Sequence, residues 1–312
     1  RIIVGLSTGG GYDRAARLLA RYMGKYIPGN PNIVVQNMPG AASVTAANYV
    51  WGVAKPDGLT LVMPHNNVYL SQLSGQKEVQ FDLPRFQWIG SLENDDMMLF
   101  GRADASFKSV GDIVRAKEPP KCGSTGVGSS DYVMARILED TVGARINSIT
   151  GYPGSSEIAI AVERGEVACM GLTVSTYFGR EPFLGWVKTK FTRFLAQSGR
   201  KREERVPDAP TIYELMDEYK TPATKRRTTE AMLQGGEWAR PMMAPPGTPA
   251  GRVAILRAAY ENTAKDPELL AEAKKIRIDV TPARGEQLQA TAKAVMTQPP
   301  EVIEQIKKLF VQ

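Results

Sequence analysis

The first 26 residues, RIIVGLSTGGGYDRAARLLARYMGKY, decide the predicted fold. Arg1–Leu6 is apolar and β-branched, which predicts a strand. A turn with three consecutive glycines at residues 9–11 follows it. Apolar residues then recur at helical spacing, which predicts a helix capped by Asp13 with one buried stripe. The stripe consists of Ala15, Leu18, Leu19, Tyr22, Met23 and Tyr26.

The same order of strand and helix recurs along the chain. Apolar runs rich in β-branched residues alternate with helical patterns, which is typical of parallel sheets covered by helices. The pair Asp266-Pro267 predicts a helix start, and a last helix begins near Glu301. The predicted strands are Arg1–Leu6, Asn32–Gln36, Thr60–Met63, Trp88–Ser91, Met97–Gly101, Pro120–Gly123, Asn147–Gly151, Val167–Leu172, Thr192–Gln197 and Arg277–Thr281.

Composition excludes several kinds of site. The 312 residues contain one histidine, His65, and two cysteines, Cys122 and Cys169. Zinc sites built from three histidines or four cysteines are therefore impossible, and a Ser-His-Asp triad would have to use His65. No apolar run is long enough to predict a membrane-spanning helix. The net charge of +6 is spread over short clusters, which gives no support for nucleic-acid binding. The length suggests two domains.

Two sequence strings resemble catalytic or nucleotide-binding motifs only in part. Residues 5–9, GLSTG, spell a nucleophile elbow. An elbow needs earlier strands, including the one whose loop supplies the oxyanion hole, and only four residues precede Gly5. The glycines at 9 and 11 are followed by Arg14 where the dinucleotide fingerprint requires glycine. We therefore expect neither a hydrolase elbow nor a dinucleotide site.

Three turns rich in glycine and hydroxyl residues each follow a predicted strand and precede a predicted helix. They are residues 7–13, 124–130 and 152–156. The first backbone N–H groups of a helix lack internal partners, and the helix dipole makes this end positive. Glycines allow a ligand to approach the backbone, and hydroxyl groups add donors. The three turns together predict a site for a phosphate or carboxylate that needs neither metal nor arginine.

Several sequence blocks, in this order along the chain, resemble the extracytoplasmic solute-binding proteins of tripartite tricarboxylate transporters, the TctC or Bug family. Each block alone is short, but the ordered set covers nearly the whole chain. The blocks are Gly9-Gly10-Gly11-Tyr12-Asp13 with Arg17, Val35-Gln36-Asn37-Met38-Pro39-Gly40-Ala41, Pro56-Asp57-Gly58-Leu59-Thr60-Leu61, Gly123-Ser124-Thr125-Gly126-Val127-Gly128, Gly165-Glu166-Val167, Val206-Pro207-Asp208-Ala209-Pro210-Thr211 and Ala244-Pro245-Pro246-Gly247-Thr248-Pro249.

The resemblance implies an α/β, two-lobed periplasmic-binding-protein-like fold of type II. Each lobe would be a mostly parallel sheet flanked by helices, with the ligand cleft between the lobes. Lobe one would comprise residues 1–100 and 239–312, and lobe two residues 101–238. The implied function is capture of an organic carboxylate, such as a di- or tricarboxylate, for delivery to the membrane permease subunits of the transporter.

The resemblance also implies the site residues. Backbone N–H and hydroxyl groups would hold the ligand's carboxylate, and Asp13 would be a helix cap and lobe contact. His65 is equally consistent with a ligand donor and with a structural turn residue. The implied ligand-binding residues are Ser7, Thr8, Gly9, Gly10, Gly11, Tyr12, His65, Asn66, Thr125, Gly126, Val127, Gly128, Ser129, Ser130, Gly154, Ser155, Thr173 and Ser175.

The remaining expectations concern chemistry and location. We expect no enzyme activity, no cofactor, no metal, no nucleic-acid partner and a monomer. The chain opens on a strand, so a cytoplasmic protein or a removed leader is possible, and the resemblance implies the periplasm. Cys122 and Cys169 are predicted as buried free thiols, with a disulfide left open. The alternatives are a carboxylate-processing enzyme, for which the turns offer only Asp13, His65 and Asp131, and a ligand-sensing domain.

Overall fold

The computed structural model describes residues 1–310, and the chain is an α/β protein. Most predicted strands are present, some of them shorter than expected. Arg277–Thr281 is not a strand, whereas the two strands at residues 239–244 and 283–284 were not predicted. The strands are β1 Ile2–Val4, β2 Val35–Asn37, β3 Leu61–Met63, β4 Gln87–Glu93, β5 Met97–Arg102, β6 Lys121–Gly123, β7 Asn147–Ile149, β8 Cys169–Thr173, β9 Thr192–Gln197, β10 Ala239–Ala244 and β11 Ala283–Arg284.

Helices separate most of these strands. None of those in residues 1–310 is long and apolar enough to cross a membrane. The helices are α1 Gly11–Met23, α2 Val44–Gly52, α3 Val68–Leu73, α4 Val110–Arg115, α5 Ser130–Val142, α6 Ser155–Glu163, α7 Val174–Gly179, α8 Phe183–Thr189, α9 Ile212–Glu218, α10 Ala223–Leu233, α11 Ala250–Ala264, α12 Pro267–Lys275, α13 Gly285–Met296 and α14 Pro300–Phe310.

The chain forms two compact units. Unit 1 comprises residues 1–95 and 235–298, and unit 2 comprises residues 96–234 and the segment from Pro299 onward. The chain passes from one unit to the other at residues 95/96 and 234/235, within five residues of the predicted positions 100/101 and 238/239. The predicted placement of the last helix in the first lobe was wrong, because α14 packs on α5 and α10. Its Phe310 ring lies 5.5 Å from the ring of Tyr132.

The sheet of unit 1 is mixed. Its strand order is β11-β4-β10-β3-β1-β2. Strand β1 pairs in parallel with β2 and β3, while β10 and β11 run antiparallel to their neighbours. The predicted stripe of α1 packs on this sheet, and its Leu18, Leu19 and Met23 are fully buried. Because β1, β2 and β3 are parallel, the turns that follow them lie at one edge of the sheet.

The first turn of α1 differs from the prediction. The N-cap is Gly10, which has no side chain to accept a bond. Asp13 lies inside the helix, where its Oδ2 accepts the Gly9 N–H at 2.9 Å. The predicted start of α12 is confirmed, because the Asp266 side chain accepts the N–H of Glu268 and Pro267 is the first helical residue.

The sheet of unit 2 has the order β7-β6-β8-β5-β9. Strands β6, β7 and β8 are parallel, and β5 runs antiparallel to β8 and β9. Cys122 and Cys169 stand opposite each other in the β6–β8 pair and form a disulfide with a Cα–Cα distance of 4.4 Å. The prediction of free thiols was wrong, because this register brings the two Cα atoms within bridging distance.

Candidate functional site

The Gly-rich turn of unit 1, residues 7–12, is named turn A. Gly9 has a φ of 81°, in the left-handed region that glycine adopts without strain. Thr8 Oγ1 donates to Asn37 Oδ1 at 3.1 Å, and the Asn37 amide donates to the carbonyl of Leu6 at 2.9 Å. Asn37 is the last residue of β2 and lies in register with Val4 of β1. Asn37, a residue of the neighbouring strand β2, therefore stabilises turn A through these two hydrogen bonds.

Asp13 closes turn A on its helix side. Its carboxylate accepts bonds from the Gly9 N–H and from Arg17 Nε, at 2.9 Å to Oδ2 in both cases. Burial works to raise the pKa of Asp13, but the bonds from Arg17 and Gly9 outweigh it and hold this pKa below its usual value. Asp13 therefore remains ionised and shapes turn A from within unit 1.

Tyr12, His65 and Asn66 form a buried network beside turn A. The Tyr12 hydroxyl donates to Asn66 Oδ1 at 2.9 Å, and the Asn66 N–H donates to the same hydroxyl at 3.0 Å. The rings of Tyr12 and His65 stack at 5.5 Å. The Asn66 amide donates to the carbonyl of Gly235 at 2.6 Å. These three predicted site residues are thus brought together and tie turn A to the segment that precedes β10.

His65 is neutral in this network. Burial, followed by the nearby charge of Arg240, lowers the pKa of His65 to about 3. Its Nδ1 accepts the N–H of Asn67 at 3.1 Å. With Nδ1 engaged as an acceptor, the hydrogen of the neutral ring is on Nε2, so His65 is still consistent with both a ligand donor and a structural turn residue.

A buried arginine that the sequence analysis did not select lies behind Tyr12. Arg240 is 2% exposed, and its guanidinium carbon lies 4.8 Å from the centre of the Tyr12 ring. Its nitrogens lie 3.3 Å from Glu93 Oε2 and 3.6 Å from Asp95 Oδ2. Arg240 belongs to β10, a strand that was not predicted, so nothing in the sequence pattern placed it near turn A.

The Gly-rich turn of unit 2, residues 124–130, is named turn B and lies between β6 and α5. Gly126 and Gly128 have φ values of 148° and 97°. The Ser129 N–H donates to the Gly126 carbonyl at 3.0 Å, and the Ser129 hydroxyl donates to the same oxygen at 2.8 Å. The Gly126 N–H donates to Ser124 Oγ at 3.2 Å. The hydrogen bonds of Ser124 and Ser129 therefore stabilise the conformation of turn B. Gly126 and Gly128 adopt the positive φ angles that it requires.

Two further turns lie at the same edge of the unit 2 sheet, because β7 and β8 are parallel to β6. Residues 152–156, named turn C, lead into α6, whose N-cap is the buried Gly154. The Ser155 hydroxyl accepts a bond from Arg180 Nη2 at 2.8 Å. After β8, the Thr173 hydroxyl donates to Thr176 Oγ1 at 3.0 Å, and Ser175 is buried.

Each unit thus gathers its own predicted residues at one sheet edge. The sequence reasoning did not select three residues that shape these edges, because their partners are distant in sequence or they lie in an unpredicted strand. In the described residues 1–310, no group of three His, Cys, Asp or Glu side chains is placed to hold a metal ion. The three residues not selected are Asn37, Arg180 and Arg240.

The fold is that of periplasmic solute-binding proteins. The solved structure of the periplasmic binding protein BugD matches all of this chain and 97% of its own, with a TM-score of 0.78 and 22% identity. MatC from Rhodopseudomonas palustris, solved with bound malate, matches with a TM-score of 0.75 and 22% identity over 99% of this chain and 97% of its own. An R. palustris protein solved with adipate gives a TM-score of 0.74 at 18% identity, covering 98% and 96% of the two chains.

The family follows from the sequence match. Residues 15–308 match the family model described as TctC, the tripartite tricarboxylate transporter family receptor. The chain therefore belongs to the TctC family, and the predicted family and fold class are confirmed. The sheets of both units are mixed, whereas the resemblance implied mostly parallel ones.

Two curated relatives align over 220 residues. The "UPF0065 protein in gbd 5'region" of Cupriavidus necator is 29% identical over 69% of this chain. The "UPF0065 protein in the TAR-I ttuE-ttuC' intergenic region" of Agrobacterium vitis is 27% identical over 68% of this chain. The match spans 63% and 60% of the length of these relatives, respectively.

Proposed function

We propose that this chain is a periplasmic solute-binding protein that captures an organic carboxylate, such as a di- or tricarboxylate, for a tripartite tricarboxylate-type transporter. The observation that carries the proposal is the pair of Gly-rich turns, one at the sheet edge of each unit and each at the start of a 13-residue helix. A helix start offers unpaired N–H groups and positive potential to an anion. Membership of a transporter receptor family and neighbours solved with malate and adipate support a carboxylate ligand.

In this proposal, backbone and hydroxyl donors of turn A and turn B bind the ligand, and turn C and the residues after β8 complete the unit 2 side. Glycines provide close access to the backbone, and Thr125 contributes a hydroxyl group, because the hydroxyls of Thr8 and Ser129 already donate to Asn37 and to the Gly126 carbonyl. Asp13 and the network of Tyr12, His65 and Asn66 hold turn A in shape. The protein acts as a monomer, releases the ligand unchanged to membrane permease subunits, and uses no cofactor, metal or nucleic acid.

The titratable residues of the two edges favour binding over catalysis. His65 is neutral, and its Nδ1 accepts a bond from its own turn. Asp131 contacts Ser124 and Ser129 of its own turn. A carboxylate-processing enzyme would need an acid and a base facing its substrate, and neither group is arranged in that way within its unit. The Cys122–Cys169 bridge supports the periplasm, because disulfides persist in oxidising compartments.

A thermal-shift screen with mono-, di- and tricarboxylates tests the proposed function. A ligand at about 100 times its dissociation constant stabilises the folded protein by about 2.7 kcal/mol, which raises the melting temperature by on the order of 5 °C. We expect such a shift with at least one carboxylate and none with the neutral diamide of the same acid. A screen in which the amides stabilise the protein as strongly as the acids would contradict an anion site.

A further inference from the structure

A cavity of about 410 Å³ lies within unit 2, and the proposed function does not use it. The start of β9, the loop at residues 205–209 and Trp186 of α8 line it. Strand β9 runs parallel to β8, because both pair antiparallel with β5. The start of β9 at Thr192 therefore lies at the sheet edge opposite to turns B and C. A volume of this size is typical of sites for small molecules.

The wall of the cavity is aromatic. Tyr177, Trp186 and Phe194 line it and belong to a larger group of packed rings in unit 2. The ring of Tyr177 lies 4.9 Å from that of Phe194, and the ring of Phe183 lies 5.0 Å from that of Trp186. The Tyr177 hydroxyl forms a hydrogen bond with Thr192 Oγ1, which fixes its ring. Such a wall favours a ligand that carries a ring, because aromatic rings pack edge to face or with an offset.

The rim of the cavity is positively charged. Lys190 and Arg193 line the cavity, are exposed, and form no side-chain hydrogen bond or ion pair with the described part of the chain. Arg205 also lines the cavity, and its Nε donates to Glu203 Oε1 at 2.6 Å. Asp208 is the one acid among the described residues of the lining. With three cations against one acid, the lining favours an anion.

The outer side of β9 adds backbone donors. Strand β9 is the last in the order β7-β6-β8-β5-β9, so one side of it faces no neighbouring strand of this sheet. The Ala103 N–H donates to the Phe191 carbonyl at 2.9 Å, so Phe191 is turned toward β5. Because the pairing alternates, the N–H groups of Thr192 and Phe194 point away from β5. Outside the pairing with β5, no acceptor in residues 1–310 bonds to either N–H.

We propose that this cavity is a second binding site, distinct from turns A and B, and that it takes an aromatic carboxylate. The ring of the ligand packs against the wall formed by Tyr177, Trp186 and Phe194. Its carboxylate pairs with the cations Lys190 and Arg193, and the N–H groups on the outer side of β9 are further donors. An aromatic cation is disfavoured, because most of the charged lining residues are positive. This inference does not depend on the proposed function.

An NMR titration of the full chain with 4-phenylbutyrate tests the proposal. Trp186 is the tryptophan of unit 2, and its Nε1–H donates to Glu163 Oε1 at 2.9 Å, so its indole signal reports on the cavity wall. We expect this signal and the amide signals of Thr192 and Phe194 to shift and saturate, with a Kd below about 1 mM at low salt. Shifts confined to signals of unit 1, or no shift at about 10 mM probe, overturn the proposal.

Two related probes separate the contribution of the charge from that of the ring. 4-Phenylbutanol keeps the ring but carries no charge, and hexanoate keeps the charge but has no ring. We expect each to bind at least about tenfold more weakly than 4-phenylbutyrate. Equal binding of the alcohol would overturn the assignment of an anion, and equal binding of hexanoate would overturn the assignment of an aromatic ligand.

The double substitution Lys190→Gln and Arg193→Gln removes both cations and keeps long polar side chains. We expect the Kd of 4-phenylbutyrate to rise about tenfold at low salt, where exposed ion pairs are least screened. Arg145→Gln with Lys188→Gln is the matched control, because both residues are exposed cations of unit 2 that do not line the cavity. The control should change the Kd by less than about twofold. An equal Kd in the Lys190 and Arg193 variant and in the unmodified protein contradicts the proposed carboxylate contacts.

Discussion

Arg240→Ala lowers the free energy of unfolding of unit 1 by about 3–5 kcal/mol, the cost of leaving buried charges without their partner. Arg240, Glu93 and Asp95 are 2%, 2% and 6% exposed, so water cannot solvate the two carboxylates once the guanidinium is removed. Burial works to lower the pKa of Arg240, but the two carboxylates hold it above its usual value. The substitution also removes the cation that faces Tyr12, so turn A loosens as well.

Urea denaturation followed by tryptophan fluorescence measures this loss, because Trp88 and Trp238 are buried in unit 1 with ring centres 5.4 Å apart. Arg277→Ala is the matched control. Arg277 is an exposed arginine of unit 1 with a φ of 56°, close to the 63° of Arg240, so both substitutions keep the same backbone strain. A loss below about 1 kcal/mol in Arg240→Ala, or an equal loss in both variants, contradicts the ion cluster described here.

Removal of the Cys122–Cys169 disulfide destabilises unit 2 by about 4 kcal/mol, the chain-entropy value for the loop that it closes. The bridged residues are 47 positions apart and at most 1% exposed. The bridge joins β6, which precedes turn B, to β8, which precedes the residues around Thr173. Its loss therefore also weakens the link between two elements of the proposed site.

The double substitution Cys122→Ala and Cys169→Ala isolates this effect. Trp186 is the tryptophan of unit 2, so its fluorescence reports this unit in urea. The unmodified protein should lose about 4 kcal/mol when reductant is added to the denaturant, and the double variant should not respond to reductant. A bridge that contributes nothing would leave the unmodified protein equally stable with and without reductant.

The sequence predicted the strand–helix alternation well, because apolar periodicity is a local signal. The stripe of α1 and the cap at Asp266 are found where they were expected. Pairing between segments that are distant in the sequence leaves no such local signal, so it was not predicted. Strand β10 joins the sheet by antiparallel pairing with β3 and β4, and α14 joins unit 2 through contacts with α5 and α10. The disulfide depends on the register of β6 and β8, which the sequence does not reveal.

The candidate site, like the fold, was predicted where its sequence signal is local and not where it depends on tertiary contacts. Glycines and hydroxyl residues between a strand and a helix mark turns A, B and C from sequence alone. The residues that brace these turns are set by tertiary contacts: Asn37 braces turn A from β2, and Arg240 supports Tyr12 from β10. Asp131 was named from the sequence only as a titratable residue beside turn B, and its burial against Gly171 is shown only by the fold.

The most direct test of the proposed carboxylate site is a calorimetric titration of the unmodified protein, Gly9→Ala and Gly29→Ala with a dicarboxylate such as malate or adipate. Gly9 and Gly29 both belong to unit 1, have φ values of 81° and 86°, and have open space where a Cβ would stand. The two substitutions therefore carry similar backbone strain, but only Gly9 lies in turn A.

We expect one-to-one binding to the unmodified protein, a loss of affinity of about tenfold or more in Gly9→Ala, and a change of less than about twofold in Gly29→Ala. The reason is that a methyl group on Gly9 stands where the ligand would approach the backbone of turn A. Binding that is equally strong in all three proteins, or no binding of any dicarboxylate to the unmodified protein, would contradict the proposal that turn A holds a carboxylate.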